Sequence, residues 1–300
     1  MSIADYLGKR PNTVRGMGFM LLSALCVSIM GGMVRHVSAD IHVFVVAFFR
    51  TLFGLLVFTP VFMKTGIEVI KTKRIGLHVL RGGLNSAALL LMFFAFSVTP
   101  LAKVMALRFT GPLFATLLAV IVLHELIRAR RISALVIGFF GALIILRPGI
   151  VELDPGAIAV LGAAGVWAGV TIIVKILTKT ESNFTITIYA ALFTIPASLI
   201  AALTVWQTPT LEQLTWMVGL GTIGSISHWC RAQSARDADV TAIMPMDFTV
   251  LIWAALIGYF AFGEVADVWT WAGAFIIFIA TSYIAIRERQ TKSKPPESAA

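Results

Sequence analysis

Residues 138–149 read GFFGALIILRPG, an apolar run that ends at an arginine, a proline and a glycine. Because proline cannot continue a helix, the sequence predicts that an apolar helix ends here. Apolar stretches of roughly 20 residues, the length that crosses about 30 Å of hydrocarbon, lie on both sides of this run. The run therefore marks the middle of a chain that crosses a membrane many times.

The composition agrees with a membrane protein, since 58% of the residues are hydrophobic and only 13% are charged. Soluble domains average about 25% charged residues. The net charge of +9 does not predict a nucleic-acid partner, because a basic excess in a membrane protein usually reports its orientation. Cys26 and Cys230 lie in apolar segments and are interpreted as packing residues. We expect no metal and no cofactor.

Ten apolar segments are predicted to be transmembrane helices, which gives an all-α membrane protein. They cover residues 15–36, 42–62, 77–98, 101–123, 132–148, 156–177, 184–205, 212–235, 240–262 and 268–286. Basic residues cluster in segments that share one side if the N-terminus is inside, namely 9–15, 64–74, 128–131, 175–179 and 287–294. The positive-inside rule then places both termini in the cytoplasm of a bacterial inner-membrane protein. Residues 287–300 are predicted to form a disordered cytoplasmic tail.

The two halves resemble each other weakly at an offset of about 140 residues, where Trp167 falls opposite Val27 and Tyr189 opposite Phe49. Five is an odd number, so a repeated five-helix unit must insert the second time upside down. We therefore predict two inverted repeats, residues 15–149 and 150–286. Inverted repeats are typical of secondary transporters, whose substrate sites lie near the midplane between the repeats.

The run GFFGALIILRPG resembles the ending of an EamA domain in the drug/metabolite transporter superfamily. Pro112, thirteen residues before Glu125, is similar to the fourth-helix pattern of that family, and Gly263 and Glu264 followed by residues 271–273 repeat it. The resemblance covers about residues 15–286 and is strongest to bacterial aromatic amino acid exporters of the YddG type. It implies two five-helix units around a central cavity, and export of amino acids or other metabolites by alternating access.

Five basic side chains lie inside the predicted spans, where a charge costs at least about 2.5–3.5 kcal/mol unless it faces a cavity or a partner. They are Arg50, Arg81, Lys103, Arg108 and Arg231. Asp247 is the carboxylate predicted deep in the membrane, within reach of Arg81 or Arg231. Arg108 has no acidic residue at its depth, so we expect it to bind a substrate carboxylate or to gate the cavity. Arginine is common at the place of Arg50 in EamA units, which favours a scaffold role there.

Other polar and aromatic residues are predicted to contribute to substrate binding or gating, although packing roles stay open for each. They are Asn85, Trp167, Tyr189, His228 and Trp229. Asp247 or His228 could carry protons or a coupling charge. Pro112 and Pro245 are predicted hinges, because proline removes a helical hydrogen bond. In the ninth span, Pro245 replaces a proline that the family resemblance would place at Leu251.

These features predict a secondary transporter that exports small metabolites, with amino acids, aromatic ones included, as the expected substrates. Its partners are a small-molecule substrate and membrane lipid, with the oligomeric state left open. One alternative is a carrier of cationic or drug-like compounds with Asp247 as the counter-charge. Another is a non-transporting membrane scaffold or an intramembrane enzyme. Enzyme activity is not expected, because His124 and Glu125 lack the second histidine of a zinc helix and no nucleophile or phosphate-loop motif occurs.

Overall fold

The computed structural model describes residues 12–63, 72, 74–123, 129–152, 154–181 and 183–292, and these residues form helices without a strand. The helices are α1 (Thr13–Val37), α2 (Val43–Met63), α3 (Ile75–Val98), α4 (Leu101–Arg108), α5 (Gly111–Leu123), α6 (Ala129–Leu146), α7 (Pro155–Leu177), α8 (Asn183–Leu203), α9 (Leu211–Asp237), α10 (Val240–Phe262) and α11 (Val268–Lys292).

The helices correspond to the predicted spans, with three differences from the sequence prediction. The fourth span consists of α4 and α5, separated at Phe109 and Thr110, so the chain breaks immediately before Pro112. α10 continues through Pro245 without a break. At the C-terminus, α11 runs to Lys292, whereas the sequence prediction starts a disordered tail at 287; residues 293–300 lie outside the described residues. So do Glu125 and part of the basic segments used for the topology prediction.

Within the described residues, 6 helical segments are long and apolar enough to cross a membrane. They are Thr13–Val37, Ile75–Val98, Leu101–Val122, Pro155–Leu177, Ala242–Phe262 and Val268–Ile286. α2, α6 and α8 contain shorter apolar stretches. The remaining predicted span lies in α9, a helix of 27 residues with many polar side chains. α9 also supplies residues that line the cavity between the two halves.

Helix packing repeats between the two halves of the chain. α1 packs extensively against α9 and α10, just as α7 packs against α3 and against α4 with α5. Likewise α2 packs against α9, and α8 packs against α3. The helices of the second half can be matched in order to those of the first, with α4 and α5 counted as one. Each of these contacts then corresponds to its counterpart in the other half. The packing of α1–α6 therefore has a counterpart in the packing of α7–α11.

A hydrogen-bonded chain shows that the matched helices run in opposite directions. Arg35, near the end of α1, donates from Nη1 to the carbonyl oxygen of Thr99 at 3.0 Å, just after α3 ends. The Thr99 hydroxyl in turn donates at 2.7 Å to Asp154, the residue that caps the start of α7. α1 thus ends where α7 begins. Two inverted units would have this arrangement, and their division into five spans each stays a prediction.

Ion pairs join the halves at this end of the bundle, which we call the Val37 end. Glu264 pairs with Arg35 and also accepts the backbone N–H of Leu101 at 2.8 Å. Lys103 approaches Asp154 at 3.4 Å. Gly263 ends α10 with a φ of 66°, a left-handed conformation that glycine adopts without strain and that turns Glu264 back toward α1.

A further ion pair at the Val37 end joins Arg147 to Asp267. Partial burial raises the pKa of Asp267, but hydrogen bonds from the hydroxyl and N–H of Thr270, followed by the charges of Arg147 and Lys103, outweigh it and hold the pKa below its usual value. The carboxylate is therefore ionised at neutral pH. At the opposite end, Arg15 binds Asp237 through two contacts of 2.6 Å, which fastens α1 to α9.

α6 and α11 cross at a pair of glycines. A Cβ added at Gly141 would lie 2.9 Å from the carbonyl oxygen of Gly273, and one at Gly273 would collide with the carbonyl oxygen of Gly141 and with Ile145. Small residues at such crossings let helix backbones approach closely. The crossing joins the last helix of one half to the last helix of the other.

Gly273→Ala is expected to lower the free energy of unfolding by about 1–3 kcal/mol, because the methyl group overpacks this crossing. The measurement is the thermal unfolding midpoint in detergent. Gly83→Ala is the matched control, since no atom lies within 4 Å of the added methyl group in α3. A Gly273→Ala protein as stable as the control would contradict the proposed crossing.

Candidate functional site

A cavity of about 200 Å³ lies between the two halves, inside the bundle. Four helices of the first half, α1 to α4, and two of the second half, α7 and α9, supply its walls. The lining residues are Val27, Met30, Arg50, Asn85, Leu89, Met92, Phe93, Phe96, Arg108, Trp167, Gly224, Ser227, His228 and Arg231. Its position agrees with the midplane site expected for inverted repeats.

The cationic side of the cavity is formed by three arginines around His228. The positive charges of Arg50, Arg231 and Arg108 all act on this histidine, whose side chain is exposed to the cavity although it lies inside the bundle. Arg231 is compensated, because its guanidinium binds the Asp247 carboxylate at 2.7 and 3.1 Å. Asp247 itself is not part of the cavity wall.

Arg50 reaches the cavity from α2 with its guanidinium against α9. A Cβ added at Gly224 would lie 2.8 Å from Nη2 of Arg50, so any larger residue there would require the guanidinium to shift. The Nε of Arg50 is fully buried and has no hydrogen-bond partner among the residues that the structure describes. A buried guanidinium without a counter-charge is costly. Arg50 therefore borders the cavity, and the scaffold role that the family resemblance implies stays a prediction.

Arg108 lies at the end of α4, directly before the break at Phe109 and Thr110. Hydrogen bonds from the N–H of Thr110 to Leu107 and from the N–H of Leu113 to Thr110 hold the chain through this break. Arg108 forms no ion pair with any residue in the described part of the chain, although the charges of Arg231 and Asp247 both act on it. Two guanidinium groups, those of Arg50 and Arg108, therefore face the cavity without a carboxylate of their own.

The opposite side of the cavity presents an amide and an indole. The Nε1 of Trp167 on α7 donates to the Oδ1 of Asn85 on α3 at 3.4 Å. The Nδ2 of Asn85 donates to the hydroxyl of Thr194 on α8 at 3.1 Å. Phe93 and Phe96 add aromatic surface to the same wall as Asn85, since all three are on α3.

The structure brings four predicted site residues into the cavity wall, namely Arg108, Asn85, Trp167 and His228. Tyr189 and Trp229 lie elsewhere. The Tyr189 ring stacks on His78 at 4.5 Å, and the Trp229 ring packs edge-on against Phe19 at 5.4 Å with 45% of the residue exposed. α8, which carries Tyr189, is apolar on several sides, so its sequence gives little information about which side faces the cavity. Trp229 is adjacent to His228 in sequence but lies on another face of α9.

Arg50, Arg231 and Gly224 belong to the cavity wall although the sequence analysis assigned the two arginines to scaffold and pairing roles. A signal for α9 was present in the sequence. Gly224, Ser227, His228 and Arg231 follow the spacing of three and four residues that puts side chains on one helix face. Arg81, in contrast, donates to the carbonyl oxygen of Ile186 and lies outside the cavity.

The chain is similar to known membrane transporters. A model of the EamA-like transporter family matches residues 14–147 and 154–286. An S-adenosylmethionine uptake transporter of Rickettsia bellii is 33% identical over 279 residues, which cover 93% of this chain and 96% of that one. A riboflavin transporter of Vibrio cholerae is 30% identical over 277 residues, covering 90% and 93%. A crystal structure of a protein with 15% identity superposes with a TM-score of 0.58 over 94% of this chain and 98% of that chain, which supports the fold alone.

Proposed function

Since this chain belongs to the EamA-like transporter family, we propose that its cavity carries a small metabolite with a carboxylate and a planar ring across a membrane. The family consists of transporters rather than enzymes, and the chain is a multi-pass membrane protein. The finer assignment rests on the side chains that face the cavity.

The observation that carries this proposal is the pair of guanidinium groups on Arg50 and Arg108, which form no direct ion pair with a carboxylate in the described structure. Arginine suits a carboxylate because its planar group donates two parallel hydrogen bonds. A carboxylate brought by the solute would neutralise charge on these two guanidinium groups. Trp167 offers a ring face beside Asn85, whereas Phe93 and Phe96 border the cavity but are each only 1% exposed.

S-adenosylmethionine has both features, a carboxylate and an adenine ring, whereas riboflavin has a ring system without a carboxylate. We therefore propose S-adenosylmethionine, the solute in the name of the Rickettsia relative, as the first substrate to test. Aromatic amino acids share both features, but the relatives named above do not support their export. The name of the Rickettsia relative describes uptake, and we propose uptake for this chain.

A carrier dedicated to cations is less well supported. Asp247, its expected counter-charge, is already bound by Arg231, and the two remaining arginines would repel a simple cation. S-adenosylmethionine differs from a simple cation because it also has a carboxylate. The carboxylate can bind the two arginines while the sulfonium lies on the Trp167 side, where an indole face attracts cations. Proton coupling through Asp247 or His228 stays a prediction.

We further propose ten membrane spans in a bacterial inner membrane with both termini in the cytoplasm. The Val37 end would then face outward, and its three ion pairs between the halves would keep it closed in this structure. Sites for drug-sized ligands measure about 300–1,000 Å³, so the cavity must widen to admit a substrate. The break before Pro112 supplies a place where α4 can move relative to α5.

Uptake of radiolabelled S-adenosylmethionine by purified protein in liposomes tests this function. We expect saturable uptake that unlabelled S-adenosylmethionine suppresses and that excess riboflavin leaves largely unchanged. Phenylalanine in the same assay distinguishes an amino-acid carrier. If riboflavin suppressed uptake as strongly as unlabelled S-adenosylmethionine, the proposed role of the carboxylate in binding would be wrong. If uptake did not exceed that of liposomes without protein, S-adenosylmethionine would not be a substrate.

A further inference from the structure

Three side chains from three helices form a hydrogen-bonded chain that begins outside the cavity and ends in its wall. Thr194 on α8 is buried, with 3% of its surface exposed, and is not a lining residue. Its hydroxyl accepts from Asn85 at 3.1 Å, and Asn85 accepts from the indole of Trp167 at 3.4 Å. The chain connects α8 and α7 of the second half through α3 of the first.

Each member constrains the next. An indole has one N–H and no acceptor, so the position of its acceptor decides how the ring is turned about its side-chain bonds. The acceptor here is the Oδ1 of Asn85, and the NH₂ end of the same amide donates to the Thr194 hydroxyl at 3.1 Å. Because the indole can only donate, it selects the carbonyl end of the amide, while the Thr194 hydroxyl holds the amide in place.

We infer that Thr194 is a positioning residue that sets the ring specificity of the cavity by holding Asn85, and through it the plane of Trp167. This inference rests on the proposed function, since it assigns the solute's planar ring to the indole face. Stacked rings prefer particular offsets, so a ring wall with a defined orientation binds a planar solute better than a wall that must be ordered on binding. The carboxylate end of the solute does not depend on Thr194, because its arginines come from α2 and α4.

Thr194→Val removes the hydroxyl but keeps the branched shape, and Thr194→Ser keeps the hydroxyl. In Thr194→Val we expect the half-saturation concentration for S-adenosylmethionine to rise about 3- to 10-fold. The inhibition constant of S-methylmethionine, which has the same carboxylate and sulfonium without the adenosyl group, should stay at the wild-type value. Thr194→Ser should behave as the wild type in both assays.

A ligand-free measurement tests the chain itself. The protein has 7 tryptophans, and the indole N–H signal of Trp167 can be assigned in a ¹⁵N NMR spectrum by its loss in Trp167→Phe. The signal should shift in Thr194→Val and keep its position in Thr194→Ser. A general loss of stability would not selectively shift the Trp167 signal. It would also not selectively change the half-saturation concentration for S-adenosylmethionine relative to the inhibition constant of S-methylmethionine.

The outcomes separate the inference from the function on which it rests. Wild-type protein that transports S-adenosylmethionine but shows the same Trp167 signal and the same solute ratio after Thr194→Val would overturn the inference alone. Equal weakening of S-methylmethionine would also overturn it, because the effect would then not concern the ring. Wild-type protein that takes up no ring-bearing solute would overturn both.

Discussion

Arg108→Gln is expected to reduce the uptake of S-adenosylmethionine at low concentration by roughly 10- to 150-fold. A hydrogen bond to a charged group contributes about 1.5–3 kcal/mol, and each 1.4 kcal/mol corresponds to about a tenfold change. The loss should be near the upper value, because Arg108 forms no direct ion pair in the described structure and Asp247, whose charge acts on it, is bound by Arg231. The measurement is the initial rate of uptake in liposomes, normalised to inserted protein.

Arg236→Gln is the matched control, since Arg236 is exposed at the last turn of α9 and does not line the cavity. It removes the same charge without touching the proposed binding residues. Arg108→Lys should recover part of the rate, because an ammonium keeps the charge but cannot donate two parallel bonds. Normal uptake by a correctly inserted Arg108→Gln protein would contradict a substrate-binding role for this residue.

Asp247→Asn is expected to lower the free energy of unfolding by about 1–3 kcal/mol. Removing one partner of a fully buried ion pair costs about 3–5 kcal/mol, but the Arg231 side chain is 37% exposed and that of Asp247 22%, so solvent in the cavity reduces the cost. The change also leaves a third guanidinium uncompensated beside Arg50 and Arg108. The thermal unfolding midpoint in detergent reports the loss.

The double variant Arg231→Gln with Asp247→Asn is the informative control. It removes both charges, so it should recover most of the stability that the single change loses. A double variant as unstable as Asp247→Asn alone would show that the pair does not account for the effect. A single variant as stable as the wild type would show that the cavity hydrates Arg231 fully.

Local sequence features predicted the helices because the length of an apolar run is a property of neighbouring residues. Thr110, Gly111 and Pro112 likewise indicate the break in the fourth span, and the structure places it there. α9 has the weakest hydropathy signal because it contains polar side chains that line the cavity. Its Ser227, His228 and Arg231 face the cavity rather than lipid or the hydrophobic core.

The composition of the site depends on contacts between distant parts of the chain, which no local pattern contains. Arg50 enters the cavity because α2 packs against Gly224 of α9. Trp167 meets Asn85 because the inverted halves bring α7 against α3. The sequence predicted that Arg108 has no carboxylate at its depth; in the structure Asp247 is near enough for its charge to act on Arg108 but is bound by Arg231. The sequence could not show that Arg50 borders the same cavity.

The central claim is that Arg50 and Arg108 bind the carboxylate of the solute. Calorimetric binding of S-adenosylmethionine and of its decarboxylated analogue, which differ by this one group, tests the claim in the wild type and in the double variant Arg50→Gln with Arg108→Gln. We predict that the wild type binds S-adenosylmethionine at least about tenfold more tightly than the analogue and that the double variant binds both alike. Equal affinities in the wild type, or an unchanged preference in the double variant, would contradict it.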